Sequence, residues 1–131
     1  MNMEFPASVD TQAYWDGLAA GRLLVQCCSN CGQWRHYPRP MCSGCHSFDH
    51  DWREVSGHGV VHSWTVTHQS PLSGFKDAVP FVLVTVDMAE GVRMLGLLQG
   101  TPAEALRVGL AVQASVATVP GGARQPVFSV R

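Results

Sequence analysis

Apolar and polar positions divide the chain into one short helical stretch followed by a series of strands. In "DTQAYWDGLAAGRL", which begins at Asp10, the residues Tyr14, Trp15 and Leu18 recur at helical spacing and share one face. Asp10 or Thr11 is placed to cap the start, and Gly21 suits the end. A helix of this length is marginal in water on its own, so its apolar face must dock on the chain's own body or on a partner. "LLVQC" reads as a strand entering a cysteine-rich stretch, and "HDWREV" as a strand leaving it. From Gly57 onward the signals are mostly β. "GVVHSWTVTH" is rich in β-branched and aromatic residues. A long loop over residues 69–80 follows. "FVLVTVDM" and "VRMLGLLQ" are then joined around Ala89-Glu90-Gly91, the spacing of a tight hairpin. Thr101 and Glu104 have capping-box spacing with Pro102 at the first helical position, which predicts one or two helical turns stopped by Gly109. "LAVQASVATV" and "QPVFSV" close the chain as two strands around Pro120-Gly121-Gly122.

Five β segments with a short helix between the third and fourth follow the order of an OB-fold barrel, although another small barrel or sandwich would accommodate them. The predicted class is mainly β. Its predicted parts are an N-terminal helical segment over 1–22, a cysteine module over 23–55 and a barrel over 56–131. The 131 residues suffice for one domain with a core and a small appendage. Hydrophobic residues make up 46% and charged residues 15%, a balance that argues against disorder. No apolar run approaches the roughly 20 residues of a membrane span. "MNMEFPASVD" lacks the basic start and apolar segment of a signal peptide. The expectation is a soluble cytoplasmic chain, off the membrane, whose thiols stay reduced. Clustered cysteines there read as metal ligands before disulfides.

All five cysteines fall in one stretch, "CCSNCGQWRHYPRPMCSGC". Cys28 and Cys31 form one C-x-x-C pair, and Cys42 and Cys45 form a second. Two such pairs bring four thiolates onto one tetrahedral ion, the pattern of a zinc ribbon; iron in a rubredoxin-like centre uses the same ligands. Gly32 after the first pair permits the positive φ that turns backbone N–H groups toward sulfur. Cys27 breaks the spacing, and on a strand its side chain points opposite to Cys28. A site with four cysteines has no open position, so the ion is expected to be structural: it folds a module too small for a core of its own.

Nine basic residues against ten acidic ones give a net charge of −1, and four thiolates with a divalent ion would move it to −3. That is a poor electrostatic footprint for nucleic acid, although OB-folds and zinc ribbons both occur in nucleic-acid-binding modules. His58 and His62 would lie about 13 Å apart along a strand, too far to share one ion. No nucleophile elbow, phosphate loop or dinucleotide glycine motif occurs, and no nucleophile–base pair is readable, so an independent thioesterase or hydratase is the less favoured alternative. "QWRHYPR" is more informative. Trp34 and Tyr37 offer aromatic faces, and Arg35 and Arg39 offer forks for phosphate. These four residues, with Phe75 in the long loop, are the candidate ligand or partner contacts. Tyr14, Trp15 and Leu18 are the candidate partner-docking face.

The succession "YWDGLAAGRLLVQCCSNCGQWRHYPRPMCSGC", "EVSGHGVVHSWTVTH", "VPFVLVTVDMAEGVRMLGLLQG" and "LRVGLAVQASV" resembles the OB-fold, zinc-ribbon proteins associated with acyl-CoA metabolism, formerly a domain of unknown function. The resemblance runs from about Tyr14 to Phe128. It implies a C-terminal OB-fold barrel and a structural Zn2+ on Cys28, Cys31, Cys42 and Cys45. It also implies an accessory role beside a thiolase-fold large subunit: a thiolase, acyltransferase or steroid side-chain retro-aldolase, in an assembly expected to be a heterotetramer. On this view the catalytic residues belong to the large subunit, and the small one helps enclose the acyl-CoA. Cys27 stands where such proteins usually carry another residue, often basic.

Overall fold

A computed structural model describes residues 8–68, 80–119 and 124–131. The candidate residue Phe75, the 69–79 part of the long loop and the Pro120-Gly121-Gly122 turn lie outside the described residues. The element order is helix α1 (Gln12–Ala19), then strands β1 (Leu24–Cys28), β2 (Trp34–Arg35), β3 (His50–Glu54), β4 (His58–Thr67), β5 (Phe81–Met88), β6 (Arg93–Leu98), β7 (Ala111–Thr118) and β8 (Arg124–Val130). Among the described residues, no helix is long and apolar enough to cross a membrane.

Strands β1–β3 form a small antiparallel sheet in the order β2-β1-β3, with Gln26 opposite Arg35 on one side and Trp52 on the other. Strands β4–β8 close into a five-stranded barrel in the order β4-β5-β6-β8-β7. The β6–β8 pairing is parallel and the others are antiparallel. This is the strand order of the OB-fold. The register of β4 on β5 shifts between Val61 and Ser63, a bulge that bends the long first barrel strand.

The predicted capping box does not form. Pro102 is extended, Thr101 and Glu104 make no capping bond, and the segment is a single 3-10 turn at Ala103–Ala105. Leu106 is again extended and its side chain is buried, so the chain is drawn back onto the barrel before a second turn can close. The N-terminal helix likewise starts without a side-chain cap. The Thr11 hydroxyl instead accepts the Ser8 N–H at 2.8 Å, outside the helix.

One apolar core runs through the described residues. It includes Tyr14 and Leu18 of α1, Leu23 and Val25 of the ribbon, and Val61, Val84, Val86, Met94, Val112 and Phe128 of the barrel. Full burial of a side chain such as Leu18 contributes about 2 kcal/mol. The apolar face of α1 is therefore docked on the chain's own body. Tyr14 and Leu18 are 6% and 1% exposed. These two candidates for a partner-docking face thus pack on the chain's own core. Trp15 is half-buried against the same core.

Candidate metal centre and adjoining surface

The end of β1 delivers Cys28, and the turn before β2 delivers Cys31. A second turn, closed by the Cys42 N–H on the Ser47 carbonyl at 2.9 Å, delivers Cys42 and Cys45. The four sulfurs lie within 4.8 Å of one another, with Cys28–Cys45 and Cys31–Cys42 both at 3.6 Å. A tetrahedron with Zn–S bonds of about 2.3 Å has edges of about 3.8 Å, so the donor set fits one such ion.

The two turns repeat one geometry. The Gly32 N–H donates to the Cys28 carbonyl, and the His46 N–H donates to the Cys42 carbonyl, both at 2.9 Å. Gly32 has φ 79°, as its position after the pair predicts, and His46 has φ 65° at the equivalent place. Backbone N–H groups face the sulfurs: Cys31 N to Cys28 Sγ at 3.5 Å and Gly44 N to Cys42 Sγ at 3.4 Å. The Cys31 N–H at Cys28, and the Cys45 and then Gly44 N–H groups at Cys42, hold these two thiols below their ordinary pKa, while the Asn30 side chain and the Ser47 N–H lower that of Cys45. The Gln33 N–H pulls Cys31 in the same direction. Its neighbour Cys42, burial and the remaining sulfurs outweigh that pull and raise Cys31 to about 12. The centre thus favours accumulated negative charge and resists the last ionisation, which a bound cation would drive. Cys27 is buried outside the cluster, its Sγ 3.6 Å from the Gly32 carbonyl.

The segment between the cysteine pairs is held by a residue that sequence reasoning did not single out. Gln26, on β1, is fully buried. Its Oε1 accepts from Arg35 Nε at 2.6 Å and from the Arg39 backbone N–H at 2.8 Å. Its Nε2 lies 3.4 Å from Nε2 of His50 on β3. The signal available was a polar residue in the otherwise apolar run "LLVQCC". Arg35 is 8% exposed, and its Nη2 donates to the Arg39 carbonyl at 3.0 Å. Arg35 is thus placed differently from the surface phosphate fork expected of it, because its guanidinium is turned inward onto its own segment. Trp34 is half-buried against the core with the Arg53 guanidinium 6.0 Å above its ring. Tyr37 is 57% exposed and Arg39 is exposed, so these two form the outward part of the candidate surface. Behind them runs a series of rings, Trp15–Tyr14–His36–Tyr37, with centroids 5.2, 5.4 and 4.2 Å apart. Burial raises the Tyr14 hydroxyl pKa well above its ordinary value and pushes the His36 imidazole down to about 4.

On the barrel, His58, His62 and His68 are exposed. His62 Nδ1 lies 3.5 Å from Asp87, which also accepts from Arg93 Nε at 2.7 Å.

With both modules and the sulfur cluster defined, the likeness to known proteins is specific. Residues 15–51 match the family described as "ChsH2, rubredoxin-like zinc ribbon domain", and residues 52–117 match "ChsH2, C-terminal OB-fold domain". The chain belongs to the ChsH2 family. It is 36% identical over 114 residues to the 3-oxo-4,17-pregnadiene-20-carboxyl-CoA hydratase alpha subunit of Mycobacterium tuberculosis, covering 87% of this chain and 36% of that one. It is 35% identical over 108 residues to a probable enoyl-CoA hydratase alpha subunit of Thermomonospora curvata, covering 82% and 33%. The chain therefore spans about a third of the length of these two relatives. A solved structure described as "Ltp2-ChsH2(DUF35) aldolase" contains a chain that superposes with a TM-score of 0.87 at 30% identity, covering 97% of this chain and 98% of that one.

Proposed function

We propose that this chain is the companion subunit of a thiolase-fold enzyme that acts on an acyl-CoA thioester in steroid side-chain breakdown, with retro-aldol cleavage as the reaction. The observation that carries this reading is the end-to-end likeness to the ChsH2-type chain of an aldolase, 97% of one chain on 98% of the other. Thiolysis and acyl transfer are the neighbouring reactions of such a partner. In this reading the four cysteines hold a structural Zn2+, the assembly is a heterotetramer around a dimer of large subunits, and the reacting groups lie on the large subunit. The ribbon presents Tyr37 and Arg39 toward the coenzyme A part of the substrate, where a guanidinium pairs with phosphate and an aromatic face covers the adenine.

A second reading rests on the hydratase alpha subunits that share 35–36% identity with this chain. In it, the same module serves a complex that adds water to an enoyl-CoA.

Copurification from the native host followed by paired assays tests both. The expected result is a thiolase-fold partner and a complex that cleaves a β-hydroxyacyl-CoA to a ketone and a shorter acyl-CoA. Hydration of an enoyl-CoA by the complex without cleavage would favour the second reading. Turnover of an acyl-CoA by the isolated chain would overturn the companion role.

A further inference from the structure

Both backbone groups of Arg39 are held by buried side chains. Its N–H donates to Gln26 Oε1 at 2.8 Å, and its carbonyl accepts from Arg35 Nη2 at 3.0 Å. Arg35 Nε closes the ring on the same Gln26 oxygen at 2.6 Å. Arg39 lies outside the β-ladder, so this ring of side chains does for one peptide position what sheet pairing does for a strand. The side chain of Arg39 is the opposite case. It is exposed, and among the described residues it makes no hydrogen bond or ion pair.

The clamp is an expensive one. Arg35 is 8% exposed and no acidic side chain among the described residues pairs with it; its Nη1 is buried without a partner. Taking an unpaired guanidinium out of water costs several kcal/mol, more than two backbone hydrogen bonds return. Holding a loop in shape does not require a charge. A cation directly behind an exposed, uncommitted arginine does, however, add to the positive potential that an oxyanion meets there. Fixing the backbone beneath a binding side chain also removes ordering cost at the moment of binding.

We infer that the buried pair Gln26 and Arg35 is a positioning clamp that fixes Arg39 in the pose in which it meets the phosphate oxygens of acyl-CoA. This rests on the companion-subunit reading above. Neither clamp residue touches the ligand; both act through Arg39.

The test is calorimetric titration of the assembled complex with coenzyme A. Arg39→Ala is expected to weaken binding by about tenfold, the scale of one charge-assisted contact. Gln26→Met is expected to match that loss with metal content and assembly unchanged, and the double variant to be no weaker than Arg39→Ala alone. Gln26→Glu keeps an acceptor oxygen for both donors but neutralises the Arg35 charge, so it should restore only part of the affinity lost in Gln26→Met. Full affinity in Arg39→Ala would remove the ligand-contact reading itself. A loss in Arg39→Ala with full affinity in Gln26→Met, or additive losses in the double variant, would overturn the clamp while leaving that reading intact. If Gln26→Met does not fold, Arg35→Lys replaces it. A lysine keeps the charge but cannot bridge Gln26 and the Arg39 carbonyl as a planar fork, so affinity should fall, and unchanged affinity would overturn the clamp.

Discussion

Arg124 Nε, on the last strand, donates to the carbonyl of Leu18 at 2.9 Å, joining positions 106 residues apart. That carbonyl lies in the last turn of α1, where it also accepts the Gly21 N–H at 3.0 Å, so Arg124 is its second donor. The bond ties the N-terminal helix to the barrel across the ribbon between them. A charged donor from an exposed arginine on this carbonyl is worth about 1 kcal/mol. Arg124→Met should therefore lower the unfolding free energy by about that amount, read as a lower urea midpoint at unchanged m-value. Hydrogen exchange should localise the change, with faster exchange in α1 and none in the barrel strands. Equal loss of protection everywhere would mean that the contact does not anchor the helix.

The sulfur cluster predicts one zinc per chain. Cys28→Ser, Cys31→Ser, Cys42→Ser and Cys45→Ser should each lose it, and Cys27→Ser should keep it, as measured by metal analysis of the purified chain. Cys27 faces the Gly32 carbonyl outside the cluster, so its loss affects only packing. A chelator strong enough to remove the ion should expose β1 and β3 to exchange, since the turns that carry the ligands have few apolar contacts beyond the metal. A metal-free chain with full protection in Leu24–Cys28 would contradict this.

The parts legible in the sequence are those that a strict local rule dictates. A tetrahedral ion demands paired thiolates, so the four ligands follow from spacing and Cys27 falls out of register. Strand β5 runs from Phe81 to Met88, the whole of the apolar run that predicts it, because β-branched residues continue without a breaker. The capping box failed for a tertiary reason: burying Leu106 against the barrel outweighed a second helical turn. The face of α1 was legible but its target was not, since Tyr14 and Leu18 look the same whether they cover this chain or another. Gln26 and Arg35 show the limit most directly. Their roles depend on Arg39 being brought back across strand β1, a meeting between positions that no local pattern records.

His36 gives the fold a pH dependence with a definite sign. Burial pushes its pKa down to about 4, against about 6.5 in the unfolded chain. Between those values the unfolded state binds more protons. Stability therefore rises as pH increases from about 4 to 6.5, is complete above that window, and is lost on acidification through it. The full shift corresponds to at most about 3 kcal/mol. The metal thiolates also take up protons in acid, so the measurement is the difference between the wild type and His36→Phe in urea melts at pH 7 and pH 4.5. The variant should lose less stability on acidification. Parallel losses in the two proteins would show that His36 does not carry the effect.

His46 occupies the left-handed position that Gly32 fills in the first turn, with φ 65°. A side chain there costs about 1 kcal/mol relative to glycine, partly offset by the greater freedom glycine has when unfolded. His46→Gly should therefore stabilise the metal-bound chain by about 0.5 kcal/mol, read as a higher denaturant midpoint at unchanged zinc content. A destabilised variant would mean that the imidazole makes a compensating contact.

Gly96 and Phe128 meet at a close approach inside the barrel. Phe128 is fully buried, and a Cβ built on Gly96 would lie 2.8 Å from its ring and 2.8 Å from the Pro126 carbonyl. The ring can shift within its rotamer, but the carbonyl belongs to β8 and moves only with the parallel β6–β8 pairing. Gly96→Ala should accordingly cost about 2–3 kcal/mol, at the upper end of overpacking. Phe128→Leu alone should cost about 2 kcal/mol through the space it leaves. Their combination should cost less than the sum, because the smaller side chain relieves the ring contact but not the carbonyl contact. Denaturant melts of the four proteins in a double-mutant cycle measure the difference. Complete rescue would place the whole conflict on the ring, and strict additivity would mean that the barrel accommodates the added methyl by moving β8 instead.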